Sequence, residues 1–206
     1  MDKVLGIFCH PDDEILWGYP IFQNGNIEKY LIILCDDYVR RGPQRRQALQ
    51  KICQQENINL VRCLSENNNF YSLSTRRPNL LKDAIKRIEL SFEAVIKNIK
   101  PDYIFTHNPA GEYGHGSHRL LFELVSQNDL VKNLLITDIC QESNHRSSKE
   151  IPDIIEQAYY KNWKGLVQLD MDFYNRCKAI YDKYNSWTWS KDPIEQCNLY
   201  LLKEEK

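Results

Sequence analysis

The sequence has 206 residues, with 27 Lys plus Arg against 28 Asp plus Glu, so its formal net charge is −1 at pH 7. This balance gives no general attraction to nucleic acid or an anionic membrane, and no run of 18 apolar residues predicts a membrane-spanning helix. The seven cysteines contain no Cys-x-x-Cys pair, which favours a reduced, cytoplasmic setting. A chain of this length buries about 70% of its unfolded surface, so we expect a single domain over residues 1–206, as a monomer or a homo-oligomer.

The first part of the chain alternates between strand and helix patterns. Its predicted strands are the short apolar runs Val4–Cys9, Tyr30–Cys35 and Leu60–Leu64. Ile15–Phe22 is a predicted short helix, and a longer helix is predicted over residues 45–56, with Pro43 in its first turn. The polar segment 65–77 that follows is predicted as a loop.

The second part continues the alternation. Apolar residues spaced by three and four predict a long helix from Pro78 to Ile99, which Pro101 ends. Strands are predicted over 102–106 and 134–140, and helices over 115–126 and 171–184, before a Trp-rich tail. This order of elements predicts an α/β fold with βαβ units, a mainly parallel sheet and helices on both faces.

Distinctive polar residues follow the predicted strands. His10–Glu14 comes after the first strand, Asp36 and Asp37 come after the second, and 107–118 follows the strand at 102–106. Ligands of parallel α/β sheets bind beyond the carboxyl ends of the strands. The sequence therefore predicts a functional site at this edge of the sheet.

Histidine and aspartate side chains in these segments have the spacing of a metal site. A catalytic zinc ion typically takes three protein ligands and leaves one position for water. His10 and Asp13 flank a tight turn, while His115 and His118 lie three residues apart at a predicted helix start, and three of these four suffice for a His₂Asp site. Asp12 is placed to accept a proton from water, and the remaining histidine to donate a proton or stabilise negative charge.

Each of these residues also has a purely structural interpretation. Asp12, Asp13 and Glu14 are favourable acids for the first turn of a helix, and His115 or His118 alone would be an ordinary helix-end histidine. Four of the five histidines, however, follow two predicted strand ends. This clustering favours the metal site.

Two motifs resemble a known family. His10-Pro-Asp-Asp-Glu14, directly after an N-terminal strand, resembles the signature of the PIG-L (LmbE-like) zinc-dependent de-N-acetylases. The block 106–118, with its His-x-x-His, resembles the second motif of that family. The resemblance covers about residues 1–140 and implies a Rossmann-like fold. It further implies hydrolysis of the N-acetyl group of an N-acetylglucosamine-type sugar conjugate, with Zn²⁺ as cofactor and Fe²⁺ or Mn²⁺ as alternatives.

The resemblance also implies roles for individual residues. The metal ligands that it implies are His10, Asp13 and His118. Asp12 matches the general base and His115 the second catalytic residue. Tyr113 matches a tyrosine that helps to polarise the acetyl carbonyl, although packing on the sheet edge would equally explain an aromatic residue there.

Substrate contacts are less well defined by the sequence. The candidates to bind substrate are Arg40, Arg46 and Asn108. Arg46 fits the start of an Arg-x-x-Glu pattern of the family, but Leu49 occupies the glutamate position. Members of the family frequently carry a His-x-Ser-Gln pattern near the C-terminus, where this sequence has Tyr184-Asn-Ser-Trp187. We therefore expect the far wall of the pocket, and with it the choice of substrate, to differ from those of other members.

Other side chains near the predicted site have two interpretations. Trp187 and Trp189 suit stacking on a sugar face or packing of the tail on the core, and packing is favoured. Cys9 is expected to be a buried thiol, and His107 to orient a metal ligand.

Two other functions compete with the de-N-acetylase. The aspartates at positions 12, 13, 36 and 37 could hold Mg²⁺ in a phosphohydrolase, but imidazole suits zinc better than magnesium. A non-catalytic sugar- or metal-binding module on the same fold is the other alternative. A nicotinamide-binding protein is disfavoured because the first strand is not followed by Gly-x-Gly-x-x-Gly.

Overall fold

The computed structural model describes residues 1–34, 41–64, 78–139 and 160–202. The strands of this part of the chain form one mixed sheet in the order β3-β2-β1-β4-β5-β7-β6. They are β1 (Lys3–Phe8), β2 (Glu28–Ile33), β3 (Ile58–Cys63), β4 (Tyr103–Thr106), β5 (Leu134–Thr137), β6 (Tyr160–Gln168) and β7 (Gln196–Leu202). The helices are α1 (Asp13–Leu16), α2 (Tyr19–Phe22), α3 (Gly42–Gln55), α4 (Pro78–Ile99), α5 (Gly111–Gly114), α6 (Gly116–Ser126) and α7 (Met171–Lys183).

Strands β1 to β5 are parallel, and the crossovers between them carry helices, as the alternating sequence pattern predicts. β2 and β3 lie on one side of β1, whereas β4 and β5 lie on the other side. The direction in which successive strands are added to the sheet therefore reverses between β1 and β4. A crevice at such a reversal is the usual ligand site of an open α/β sheet. The site is therefore expected beyond the carboxyl ends of β1 and β4.

The central strands are buried on both faces. Val4 and Phe8 of β1 pack into one apolar cluster together with α3 and α7, whereas Leu5 and Ile7 pack into a second cluster with α4 and α6. Successive side chains of β1 therefore enter two different cores, one on each face of the sheet. This explains why the run is continuously apolar and does not alternate with polar residues. The predicted fold class is confirmed: the protein is a Rossmann-like α/β sheet with helices on both faces.

The structure corrects the sequence predictions in two places. The helix expected over Ile15–Phe22 is two short helices, α1 and α2, because Gly18 turns the chain so tightly that a Cβ there would lie 2.7 Å from the Glu14 carbonyl oxygen. The C-terminal region contributes two antiparallel strands, β6 and β7, that the sequence pattern did not predict. Within the described ranges, no helix has the length and apolar character needed to cross a bilayer.

Candidate active site

The two polar motifs meet at the carboxyl ends of β1 and β4. Because Ile7 of β1 pairs with Thr106 of β4, the segments that follow these strands leave the sheet side by side. The first segment turns at Asp12, whose φ of 97° lies in the left-handed region, and enters α1 at Asp13. The second runs through α5 into α6, which carries His118 in its first turn.

Three buried side chains converge there with the spacing of a metal site. His10 Nδ1 lies 3.2 Å from Asp13 Oδ2, and His118 Nε2 lies 3.2 Å from His10 Nδ1 and 3.5 Å from Asp13 Oδ2. Bonds of about 2.0–2.2 Å in a tetrahedral zinc site place neighbouring ligand atoms about 3.3–3.6 Å apart. The triangle formed by these atoms matches one face of such a tetrahedron, so the residues present fit a metal ion.

The Asp13 carboxylate is held in place from several directions. Its Oδ2 accepts a hydrogen bond from the His10 backbone N–H at 2.7 Å, and its Oδ1 accepts one from Trp17 Nε1 at 3.0 Å. Burial opposes ionisation, but His118 and His10 outweigh it and hold the pKa of Asp13 well below its usual range. Asp13 is therefore a carboxylate, the form that binds a cation.

Glu112 fixes the orientation of His118 from behind. This fully buried carboxylate accepts hydrogen bonds from His118 Nδ1 at 2.7 Å, from His107 Nδ1 at 3.1 Å and from the Asn108 backbone N–H at 3.1 Å. Burial would raise the pKa of Glu112, but the two histidines hold it at about 2. Since a carboxylate only accepts, His118 carries its proton on Nδ1 and turns the lone pair of Nε2 towards His10 and Asp13.

Other histidine and cysteine groupings also occur here. The ring nitrogens of His10, His115 and His118 lie within 4.8 Å of one another, as do ligand atoms of Cys9, His107 and His118. Burial raises the pKa of Cys9 to about 11, and both ring nitrogens of His107 already have partners, Nδ1 with Glu112 and Nε2 with the Cys9 backbone N–H. The Cys9 grouping is therefore the weaker metal site.

Asp12 lies beside the triangle and is held by two partners from other parts of the chain. Its Oδ1 accepts from Arg45 Nη2 of α3 at 2.7 Å, and its Oδ2 accepts from Thr188 Oγ1 at 2.7 Å. The Asp12 backbone N–H donates to Glu14 Oε2 at 2.9 Å, and Glu14 Oε1 accepts from the Tyr181 hydroxyl at 2.7 Å. Burial raises the pKa of Asp12 to about 6, against the opposing charge of Arg45.

A cavity of about 130 Å³ opens onto these groups. It is lined by His10, Asp12, Asp13, Leu16, Trp17, Arg45, Tyr113, His115, Thr188 and Trp189. Burial and the neighbouring His118 and His10 lower the pKa of His115 to about 3, so its imidazole is neutral, and its Nδ1 has no hydrogen-bond partner among the described residues. Burial raises the pKa of Tyr113, so its phenol keeps its proton.

Comparison with known families agrees with this arrangement. The model of the PIG-L family, described as GlcNAc-PI de-N-acetylase, matches residues 5–128, more than half of the chain. The chain belongs to the PIG-L family. A comparison with curated protein sequences returns no match.

Solved structures share the PIG-L fold at low identity. A deacetylase–teicoplanin complex from the teicoplanin biosynthesis pathway is 8% identical with a TM-score of 0.61, over 99% of this chain and 100% of that one. The zinc-inhibited form of teicoplanin deacetylase Orf2 is 9% identical with a TM-score of 0.55 over the same shares. N,N'-diacetylchitobiose deacetylase from Pyrococcus horikoshii is 15% identical with a TM-score of 0.54, over 91% of this chain and 71% of that one. At these identities the likeness establishes the fold.

The structure brings together the residues that the two PIG-L motifs predicted for catalysis and metal binding. They are His10, Asp12, Asp13, Tyr113, His115 and His118. Their proximity agrees with the predicted roles, but the roles themselves stay predictions. Asp36, Asp37 and Arg40 lie outside the described residues.

Two of the predicted substrate contacts need comment. Asn108 is completely buried, its Nδ2 donates to the Ile139 carbonyl at 2.8 Å, and its Oδ1 accepts from the Ala110 backbone N–H at 3.0 Å. These contacts show that Asn108 shapes the loop, and its contact with substrate stays a prediction. Arg46 is half-buried on α3, and its neighbour Arg45 is the arginine that lines the cavity.

Sequence reasoning missed Arg45, Glu112 and Thr188. A signal for Arg45 was present, because it shares the helical spacing of the apolar residues Ala48, Leu49 and Ile52 and so belongs to the buried face of α3. Glu112 and Thr188 have no comparable signal, since each is one polar residue in an irregular segment. Of the two candidate tryptophans, Trp189 lines the cavity, whereas Trp187 packs against Tyr174 and Tyr181.

Proposed function

We propose that this PIG-L protein is a metal-dependent hydrolase that removes the N-acetyl group from an N-acetylglucosamine-type sugar conjugate. The observation that carries the proposal is the buried triangle of His10, Asp13 and His118, with Asp12 and His115 on the wall of the same cavity. The family description names GlcNAc-PI, and similar structures are deacetylases for teicoplanin biosynthesis and for N,N'-diacetylchitobiose. These substrates share an acetylated amine on a carbohydrate-type scaffold.

The metal would be held by His10, Asp13 and His118. Two imidazoles and a carboxylate suit zinc, and iron or manganese are alternatives with the same ligands. When bound, the ion would supply Lewis acidity for the attacking water and for the acetyl carbonyl. Glu112 supports this set by holding the His118 proton on Nδ1.

Asp12 is the proposed general base. In the hydrolysis, the water oxygen bonds to the acetyl carbon, the C–N bond breaks, and the nitrogen gains a proton to leave as an amine beside acetate. One group must therefore accept a proton from water, and a pKa of about 6 suits Asp12 to that task near neutral pH. Because His115 is neutral, Asp12 also carries that proton to the leaving nitrogen.

His115 and Tyr113 are the proposed donors to the developing oxyanion. Both line the cavity next to the triangle, and both hold a proton that can be donated in a hydrogen bond at neutral pH. Donors preorganised at the position where negative charge develops stabilise the transition state of acyl transfer. Their contribution is therefore electrostatic.

Release of acetate tests the proposed function. Protein loaded with one equivalent of zinc is incubated with N-acetylglucosamine conjugates, including N,N'-diacetylchitobiose and GlcNAc-PI, and acetate and free amine are quantified. We expect equal amounts of both products, loss of activity with a chelator, and recovery on adding back zinc. Absence of acetate across the panel from metal-loaded protein would contradict the proposal.

The alternatives predict different results in the same preparation. A Mg²⁺-dependent phosphohydrolase would release phosphate with magnesium, but the two imidazoles of the triangle disfavour that ion. A binding module would retain metal and sugar without releasing acetate. Metal analysis together with the product assay separates the three functions.

We expect the contact between Arg45 and Asp12 to set the pH at which turnover begins to rise. Asp12 must be deprotonated to act as a base, so kcat/KM should rise as pH increases through its pKa. Arg45 lowers this pKa, so Arg45→Met should raise it and move the acid limb of the profile up by about one pH unit or more. The measurement is kcat/KM between pH 5 and pH 9.

Arg46→Met is the matched control, because it removes the same charge one residue away from the Asp12 contact. Its acid limb should stay at the wild-type position. An unshifted limb in Arg45→Met would show that Asp12 is not the titrating base.

A further inference from the structure

One wall of the cavity is built from three aromatic side chains. The Trp189 ring centroid lies 5.2 Å from that of Trp17 and 5.3 Å from that of Tyr113, and the Trp17 and Tyr113 centroids are 6.0 Å apart. The same cavity is lined by the polar groups of the site, Asp12 and His115 among them. The reacting part of a substrate must therefore fit against both the polar groups and these rings.

The volume of the cavity limits what can enter. A cavity of about 150 Å³ holds one benzene molecule, and this one is about 130 Å³. A hexose ring with its hydroxyl groups is larger than benzene, whereas an acetyl group is smaller. The acyl end of an N-acylated sugar is thus the part that enters, and the sugar stays outside.

The three rings differ in how firmly they are fixed. Trp17 is only 2% exposed, and its Nε1 donates to Asp13. Tyr113 packs between Trp17 and the histidines, with its centroid 5.5 Å from that of His115. Trp189 is half-buried, and its Nε1 makes no hydrogen bond to any described residue. Of the three rings, Trp189 is therefore the one that can be replaced without removing a hydrogen bond to the triangle of His10, Asp13 and His118.

We propose that Trp189 sets the length of the acyl group, and that the wild-type protein accepts acetyl but rejects longer chains. This inference rests on the proposed amide hydrolysis and adds its acyl specificity. The methyl group of an acetyl fits against the indole, and each further methylene would collide with the ring. A methylene that a pocket cannot hold lowers kcat/KM by about tenfold or more.

The test compares N-acetyl-, N-propionyl-, N-butyryl- and N-hexanoyl-glucosamine conjugates as substrates of the wild type, Trp189→Ala and Trp189→Leu. We expect the wild type to favour acetyl over butyryl by about a hundredfold or more, for two added methylenes. Trp189→Ala should bring this ratio close to one, with Trp189→Leu between them. Calorimetry measures the affinities for acetate, butyrate and hexanoate without depending on turnover. The preference for acetate over the longer carboxylates should fall from the wild type to Trp189→Leu to Trp189→Ala.

Trp187→Leu is the matched control. Trp187 packs against Tyr174 and Tyr181 at centroid distances of 6.0 Å and 5.8 Å and does not line the cavity. Its preference for acetyl should equal that of the wild type, even if its melting temperature falls.

Three outcomes would overturn the inference. The first is a wild type that cleaves butyryl as well as acetyl, and the second is a Trp189→Ala variant that loses activity equally on all chain lengths, as expected if the indole stacks on the sugar. The third is an unchanged order of carboxylate binding in both Trp189 variants. Failure of the proposed function differs from all of these, because no acetate would be released even by the wild type.

Discussion

Asp12→Asn should lower turnover in the acetate-release assay by about 10²–10⁴-fold while the protein keeps its metal. The amide has nearly the shape of the carboxylate and can still accept a hydrogen bond, but it cannot accept the proton of the attacking water. Asparagine also tolerates the left-handed backbone at this position, where φ is 97°, better than alanine would. The measurements are kcat, KM and the zinc content of the purified variant.

Asp170→Asn is a matched control for this substitution. Asp170 caps the start of α7 by accepting from the backbone N–H groups of Asp172 and Phe173, so its replacement tests the same chemical change outside the site. Near-wild-type turnover is expected. If Asp12→Asn also retained near-wild-type turnover, Asp12 would not be the base.

Glu112→Gln should weaken metal binding by about 10–100-fold. In the wild type, Glu112 Oε2 accepts from both His118 Nδ1 and His107 Nδ1, and Oε1 accepts from the Asn108 backbone N–H. A glutamine has one acceptor oxygen, so its N–H₂ group must face either the two histidines or the Asn108 N–H. Burying that mismatch costs about 1–3 kcal/mol, so the melting temperature should fall as well. Zinc affinity is measured by competition with a chromogenic chelator.

Two further variants, His118→Ala and Glu123→Gln, give the upper and lower limits for the expected loss of zinc affinity. His118→Ala removes a proposed ligand and should bind zinc more weakly than Glu112→Gln, whereas Glu123 is exposed on α6 and its replacement should change nothing. Wild-type affinity in Glu112→Gln would show that Glu112 serves folding alone.

The parallel half of the fold could be predicted because each of its strands is a single short apolar run. The antiparallel half could not. β6 contains Gly165 with a φ of 74°, and its pairing with β7 shifts register between Asn162 and Gly165, so no regular alternation marks it. β7 buries Cys197 and Leu199 between β5 and β6, in a position that only the folded order of the strands creates.

The site shows the same division between local and long-range information. His10 and Asp13 share one turn, and His115 and His118 share one helix start, so spacing alone brings each pair together. Arg45 was predictable in principle from its phase on α3, since a helix turns neighbouring arginines to different faces. Glu112 depends on a backbone φ of 56°, and Thr188 reaches Asp12 across 176 positions of sequence; neither follows from a local pattern.

Residues 181–189 contact the proposed catalytic groups although they lie outside residues 5–128, the stretch that the family model matches. The Tyr181 hydroxyl donates to Glu14, which accepts from the Asp12 backbone N–H, Thr188 donates to the Asp12 side chain, and Trp189 lines the cavity. A fragment trimmed to residues 5–128 would keep every proposed ligand and the Arg45 contact to Asp12, but would lose the Thr188 contact to Asp12 and the Tyr181 contact to Glu14. If Trp189 sets the acyl preference as proposed, exchanging residues 181–189 between relatives would change that preference and leave the triangle of proposed metal ligands untouched.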